Sequence, residues 1–471
     1  MTAPLVPPLT QSRTLPDSSQ IDCYRVMIFN TDGTSVLLQE YRGRYFLPEI
    51  RVQQFTRPAE QITSLLRLTW GMTTVLLFSG LFKSEAPFVY YAVLEQTQEP
   101  REIPPGMVWY PVAAAISDLS EEKAGECLKS AHAKATALVP GNDPQPFARL
   151  GWIAKLQDWI KKVPGPRCME LGGFRQLNGC ETFALVRFDT SEEPVWFKAV
   201  GAPNLHEFPI TLALSAYFPN NLPRIIASNK SLNGWLMDSG GRSRLRDRAE
   251  LDSWIKAVHG LATLQAQSID KTQSLLRAGC RDLRIELLAS LVDPFFEVIA
   301  ALMKKQTKIR PSPLTEEELF AISFGVKEAL QSLQEIGIPN ALGHSDFNPG
   351  NIVTDGNDCV FLDWAEAHVG QPVLTLEYLM AHLRKDFPTL VEQESVLRQE
   401  YIQSWPASIS HAIGDALALA PLVALYAYAV SGERWRDPER LAAPQFCGYL
   451  RSLTRQMKKH TDFLCGRTVH V

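Results

Sequence analysis

Near residue 240 the chain changes texture, and that change constrains its fold more than any other feature. Before it lie strand-like runs, the last of them CMELGGFRQL, TFALVRF and VWFKAV, with Asp189 to Pro194 reading as a polar turn between the final two. After it, Leu251, Trp254, Ile255, Val258, Leu261 and Ala262 recur at the spacing of one buried helix face. Long helical segments are expected around 284–305, 315–336, 376–404 and 411–431. The 471 residues exceed what one apolar core usually supports, so two or three domains are expected.

The region before the last strands has its own organisation. Residues 1–20 are rich in Pro, Ser and Thr and read as a flexible tail, not a signal peptide. Residues 21–150 carry the strand-like runs YRVMIF, SVLLQEY, TVLLFSGLF and FVYYAVLE. Helices are expected over Ala59 to Trp70 and Leu119 to Leu138, giving a small α+β domain. A linker helix and the Val163-Pro164-Gly165-Pro166 joint occupy 151–166. A strand-rich region follows at 167–240, and a helix-rich region at 241–471.

Composition narrows the function classes. A net charge of −4 and a pI near 6.2 give no broad basic footprint, so no nucleic-acid partner is expected. The runs RSRLRDR from Arg242 and KKQTKIR from Lys304 read as solvated faces. Eight scattered cysteines without a C-x-x-C pair suggest neither a zinc site nor a disulfide scaffold, and a cytoplasmic setting is expected. The longest uncharged apolar run, Ala416 to Val430, would reach only about 22 Å as a helix, so a buried helix and no membrane partner are expected.

One stretch carries chemistry. Gly343 to Trp364 reads GHSDFNPGNIVTDGNDCVFLDW, with His344, Asp346 and Asn351 as H-x-D-x-x-x-x-N and Asp363 after an apolar run. Phosphoryl transfer from a nucleotide needs a group to orient the acceptor hydroxyl and oxygen ligands for magnesium, and protein kinases supply them at this spacing. Asp346 is the candidate base. Asn351 and Asp363 are the candidate magnesium ligands, since an amide oxygen and a carboxylate suit a hard cation. His344 belongs to the catalytic set, more as a brace for the loop than as an acid or base. The competing explanation is an Asx-rich turn, Asn348-Pro349-Gly350-Asn351, with incidental carboxylates.

Lys198, on the apolar strand VWFKAV, is the candidate for holding nucleotide phosphates, and Glu207 is its natural partner. Against these stand a snorkelling edge-strand lysine and an ordinary first-turn glutamate. The phosphate-covering loop is thin: LGGFRQLNG has Gly172, Gly173 and Gly179 but no G-x-G-x-x-G, and Asn178-Gly179 is equally a hairpin turn. No G-x-x-x-x-G-K-[ST] loop occurs, which excludes the P-loop class.

Taken together, HSDFNPGNI, FLDWAEAHVG, VWFKA, HEFPITLAL and GWLMDSGG resemble the aminoglycoside phosphotransferase and choline kinase group over roughly residues 170–440. The resemblance implies a two-lobed protein-kinase-like α+β fold, a small β-rich lobe and a large helical lobe, preceded here by the small α+β domain. It implies ATP, Mg2+ and transfer to a hydroxyl of a small-molecule acceptor. It makes Asp346 the base, Asn351 and Asp363 the metal ligands and Lys198 the phosphate lysine, and it puts Met237 and Asp238 where adenine meets backbone. Ser345 stands where the group usually has glycine, which is tolerable if its φ is negative. Trp364 is typical of the group and argues against a protein kinase. Glu366, Glu377 and Asp386 are possible acceptor contacts or plain surface carboxylates; facing the pocket, they would favour a cationic acceptor.

Residues 25–52 resemble the opening of a Nudix hydrolase. If Gly71 closes the Nudix box, however, its metal-binding glutamates fall on Leu65, Leu68 and Thr69, which could not bind magnesium. The region is therefore either a degenerate Nudix-like domain or an unrelated α+β domain. The whole-chain alternative to a kinase is a nucleotide-binding pseudokinase acting as an interaction module.

Overall fold

A computed structural model describes residues 21–468 apart from 55, 83–88, 99–101, 140–142, 164–170, 241–242 and 355–358. The expected tail and Pro164 to Pro166 of the expected joint lie outside the described residues. The chain forms two compact units, Met1–Phe208 with Arg224–Ser239, and Pro209–Pro223 with Gly240–Val471.

The first unit opens with a seven-stranded sheet. Its strands are β1 (Ile21–Phe29), β2 (Ser35–Tyr41), β3 (Arg44–Phe46), β4 (Glu49–Gln53), β5 (Thr74–Phe82), β6 (Val89–Gln96) and β7 (Met107–Pro111). The order is β3-β2-β1-β6-β5, with β4 on β1 and β7 on β2. β1 and β6 run parallel, and the central strands are apolar on both faces, as strands covered on both sides must be. Helix α1 (Pro58–Trp70) buries Ala59, Ile62 and Leu66 against one face, with Val26, Ile28, Ala92 and Leu94. It stops at Gly71, whose φ of 63° continues no helix.

Behind the other face come α2 (Val112–Asp118), α3 (Glu122–Thr136) and α4 (Trp152–Ile160). The helix expected over Leu119 to Leu138 is α3, and α2 is a further short helix ahead of it that the spacing did not suggest. α2 ends where Leu119 turns extended (φ −60°, ψ 130°), and α3 starts three residues later. A second sheet follows, β8 (Leu171–Gly179), β9 (Phe183–Thr190), β10 (Val195–Val200), β11 (Ile225–Asn229) and β12 (Gly234–Met237), antiparallel in the order β11-β12-β10-β9-β8. The two sheets share one apolar core. Phe29, Val75, Leu77 and Phe78 of the first join Leu128, Phe147, Trp152 and Leu156 between them, and Phe174, Val186, Phe188, Phe197 and Leu236 of the second. Helix α5 (Glu207–Tyr217) begins here and continues into the second unit.

The second unit is helical, with two small sheets. Its elements begin with β13 (Ser243–Arg244), α6 (Leu251–Ser268), α7 (Thr272–Ala278), β14 (Arg281–Leu283), α8 (Ile285–Lys304) and α9 (Glu316–Ile336). β15 (Ala341–His344), β16 (Ile352–Thr354), β17 (Cys359–Phe361), β18 (Ala367–Gly370) and α10 (Val373–Asp386) follow. The chain ends in α11 (Glu394–Gln403), α12 (Ala407–Ala416), α13 (Ala420–Val430), α14 (Pro438–Leu441) and α15 (Pro444–Thr468). The sheets are β13-β16-β17 and β14-β18-β15.

Two expected helices are split in this unit. The segment 376–404 breaks at Phe387, because Pro388 has no N–H to continue the ladder and the chain tightens into a 3-10 turn. The segment 411–431 breaks before Ala420, and Pro421 sits in the first turn of α13, where proline is tolerated. α13 is buried almost throughout, and no single described helix is long and apolar enough to cross a membrane.

Candidate active site

In the first unit β10 carries Lys198 at the middle of the second sheet, paired to Leu185 of β9 and Trp235 of β12. The side chain is 7% exposed, so its charge demands a partner. Glu207, 2% exposed at the start of α5, accepts a hydrogen bond from its Nζ at 2.5 Å. The rings of Phe183 and Trp235 lie 5.5 and 5.8 Å from that nitrogen and add attraction. Met237 ends β12. The Asp238 N–H donates to Arg224 O, and the Asp238 carboxylate accepts from Arg224 N and Nε, so that N–H is already engaged.

In the second unit the loop after β15 is fixed from beneath. Gln265 of α6, fully buried, donates through Nε2 to Leu342 O and Pro372 O and accepts from the Tyr401 hydroxyl at 2.6 Å. Leu342 N donates to Ser268 Oγ, and His344 N to Thr375 Oγ1. His344 is 1% exposed and its tautomer is defined. Nδ1 accepts the Asp346 N–H at 3.1 Å, so Nε2 carries the proton and donates to Leu362 O at 3.0 Å. The imidazole thus ties the Asp346 backbone to the segment that carries Asp363. It packs among Phe347 and Trp364, with ring centroids 5.7 and 4.9 Å away.

Asp346 is exposed on an otherwise buried loop. Its carboxylate accepts from Asn348 Nδ2 at 2.9 Å and Asn351 Nδ2 at 3.2 Å. Crowding by protein raises its pKa above the ordinary 3.8. The nearby Asp363 charge pushes the same way, and the Asn348 amide opposes both. Asn351 also gives its amide N–H to Asp346 O and takes the Leu362 N–H on its own carbonyl, so its Oδ1 is the atom left to offer a cation. Asp363 sits at φ 65°, ψ 66°, a left-handed conformation that few residues other than glycine adopt. Backbone strain of this kind is characteristic of functional positions. Among the described residues no three His, Cys, Asp or Glu side chains converge as a metal site. Asn351 and Asp363 offer one amide and one carboxylate oxygen, a set that fits magnesium already carrying phosphate oxygens and water.

Residues 221–406 match the family model described as "Phosphotransferase enzyme family". That stretch, about two-fifths of the chain, is similar to the phosphotransferase family. It contains the loop from His344 to Asp363. Solved structures with some likeness include the choline kinase of Cryptosporidium parvum, 13% identical, covering 67% of this chain and 97% of that one, with a TM-score of 0.46. The Plasmodium vivax ethanolamine kinase is 12% identical over 72% of this chain and 93% of that one, TM-score 0.46. The macrolide 2'-phosphotransferase of Brachybacterium faecium is 14% identical over 64% and 97%, TM-score 0.42. No curated protein matches the chain. The family match does not reach the amino-terminal region, and the Nudix likeness rests on sequence alone. At the end of α1, Leu68 is exposed and Thr69 gives its hydroxyl to Leu65 O, so no carboxylate stands there.

Within the matched stretch, Ser345 is not among the positive-φ residues, which is why serine is accepted. Its hydroxyl meets Nδ1 of the fully buried His368 at 3.0 Å, and burial holds that imidazole neutral, its pKa down to about 3. Gly343 is required beneath the loop, because a Cβ there would lie 2.1 Å from His368 Nε2. The three carboxylates considered for the acceptor are all engaged. Glu366 accepts from Arg281 and Arg434, buried Glu377 from Arg384 and Arg398, and Asp386 lies 3.3 Å from His382. Paired in this way, they give no ground for a cationic acceptor. Gln265, Ser268 and Thr375, which hold β15 in place, had no signal in the sequence beyond helical spacing.

Proposed function

We propose that the chain is an ATP- and magnesium-dependent phosphotransferase that moves the γ-phosphate to a hydroxyl of a small molecule. The single observation that carries this reading is the loop itself. One short segment of the matched stretch presents Asp346, Asn351 and Asp363 together, locked by the His344 imidazole.

In this reading Lys198, positioned by Glu207, holds the nucleotide phosphates, and Asn351 and Asp363 are the residues that would hold magnesium. The bound ion would neutralise charge on the phosphates. Asp346 accepts the proton of the acceptor hydroxyl as the oxygen attacks phosphorus; its raised pKa brings it closer to the value at which a base works well near neutral pH. His344 holds the loop and moves no proton, since its Nδ1 lone pair is used by the Asp346 N–H. The pseudokinase alternative loses ground because Lys198, Glu207, Asp346, Asn351 and Asp363 are all present.

The test is magnesium-dependent ATP turnover over a panel of alcohols, sugars and amino alcohols. An acceptor should raise turnover, and Asp346→Asn should lower kcat on it by about 10²-fold or more while leaving the melting temperature near the parent's. Turnover by Asp346→Asn at the parent's rate would remove the assigned base.

A further inference from the structure

Two features of the sequence stay unexplained by the proposed reaction: the thin glycine loop and the fused amino-terminal region. The first unit connects them. In kinases a mobile glycine-rich hairpin covers the nucleotide phosphates and closes as a lid. Here the corresponding hairpin is β8–β9, and its turn, Cys180 to Thr182, lies beside the lysine strand. Gly201 N, just past β10, donates to Thr182 O, and Phe183 pairs with Val200.

The first strand and the tip of this hairpin are fastened to the amino-terminal region. At its outer part, Arg67 of α1 donates to Phe174 O at 3.2 Å, and Arg175 pairs with Glu60 at 3.1 Å. In the middle, the Gln176 side chain, 3% exposed, does the work of a neighbouring strand. Its Oε1 accepts from Leu76 N at 2.7 Å and its Nε2 donates to Leu76 O at 2.8 Å. Both partners are irregular at that point, with register shifts between Leu76 and Phe78 and between Gln176 and Asn178. At the tip, Lys134 of α3 pairs with Glu181 at 2.7 Å while its Nζ lies 4.3 Å from the centre of the Phe78 ring. Packing closes around the tip as well. A Cβ on Gly201 would lie 2.6 Å from Glu181 O and 2.9 Å from the Phe147 ring.

We infer that the amino-terminal region is a fixed brace for the nucleotide-covering hairpin, with Lys134 and Gln176 as its positioning residues. This rests on the proposed kinase reading and adds what that reading lacks, a task for the fusion. A hairpin held from behind needs no glycine-rich flexibility, because its position over the phosphates is set before the nucleotide arrives. Gln176 is buried between two backbones, so its replacement risks the fold. The Lys134–Glu181 pair is about one-third exposed on each side and can be altered safely.

The experiment uses the full chain. Affinity for a fluorescent ATP analogue with magnesium is measured for the parent, Lys134→Glu, and Lys134→Glu combined with Glu181→Lys. Amide exchange is followed over residues 178–183. Lys134→Glu sets two carboxylates against each other and should weaken nucleotide binding about fivefold, speed exchange at the tip and raise KM for ATP more than it lowers kcat. The double variant should return to within about twofold of the parent. If the parent binds nucleotide and Lys134→Glu binds it equally well with unchanged exchange, the brace is wrong and the kinase reading stands. If the parent binds no nucleotide, both fall together.

Discussion

At the scale of single residues, Asp363 combines a functional charge with a costly backbone. Left-handed conformation costs most residues about 1–2 kcal/mol, and Asn and Asp tolerate it better than others. Asp363→Asn should therefore melt close to the parent yet lose turnover, whereas Asp363→Ala should lose turnover and about 1 kcal/mol of stability besides. Chemical denaturation of the two variants checks this; equal stabilities would show that the left-handed backbone carries no such cost. Asn348 offers a second test. Its amide steadies the Asp346 carboxylate, so its loss pushes the Asp346 pKa further up. A base works only when deprotonated, so the acid limb of the pH–rate profile of Asn348→Ala should move to higher pH than the parent's. A limb that stays in place or moves down would show that Asn348 does not tune the base.

At the scale of elements, legibility followed distance along the chain. Lys198 and Glu207 are nine residues apart, and Asp346 and Asn351 five, so type and spacing alone exposed them. The groups that hold those elements were silent. Gln265 reaches Leu342 across 77 residues and Gln176 reaches Leu76 across 100, and nothing local distinguishes a buried glutamine from a surface one. Helix breaks at Phe387 and near Ala420 were missed because apolar spacing continues through them while the backbone turns. Glu95 of β6 is another such residue. It is 3% exposed, accepts from Gly151 N at the start of α4, and burial pushes its pKa up to about 7. A carboxyl with a raised folded-state pKa gives stability that is complete below its unfolded value, near 4.5, and lost as pH rises to about 7. Glu95→Gln stays neutral throughout. Its stability relative to the parent should grow by about 1–3 kcal/mol between pH 4.5 and 8, read from denaturant melts at each pH. A pH-independent difference would count against a protonated Glu95.

At the scale of the whole molecule, the sequence placed a domain joint at 151–166, but the two sheets flanking it fill one apolar core. Strand and helix texture reveals elements and not which faces meet, so that partnership could not be read in advance. A fragment of residues 167–471 would uncover Phe174, Val186, Phe188, Phe197 and Leu236 on one side of the second sheet. It should aggregate or bind hydrophobic dyes. A monomeric fragment with a sharp thermal transition would contradict the shared core.

That core also has a consequence for the chain's birth. The first sheet and α3 and α4 leave the ribosome complete by about residue 160, while the strands that finish covering Val75, Leu77 and Phe78 end at Met237. At ordinary elongation rates the nascent chain waits roughly 4–15 s with that face only partly covered. The amino-terminal region thus emerges first yet matures late, and nascent-chain chaperones have a defined interval and a defined surface on which to act.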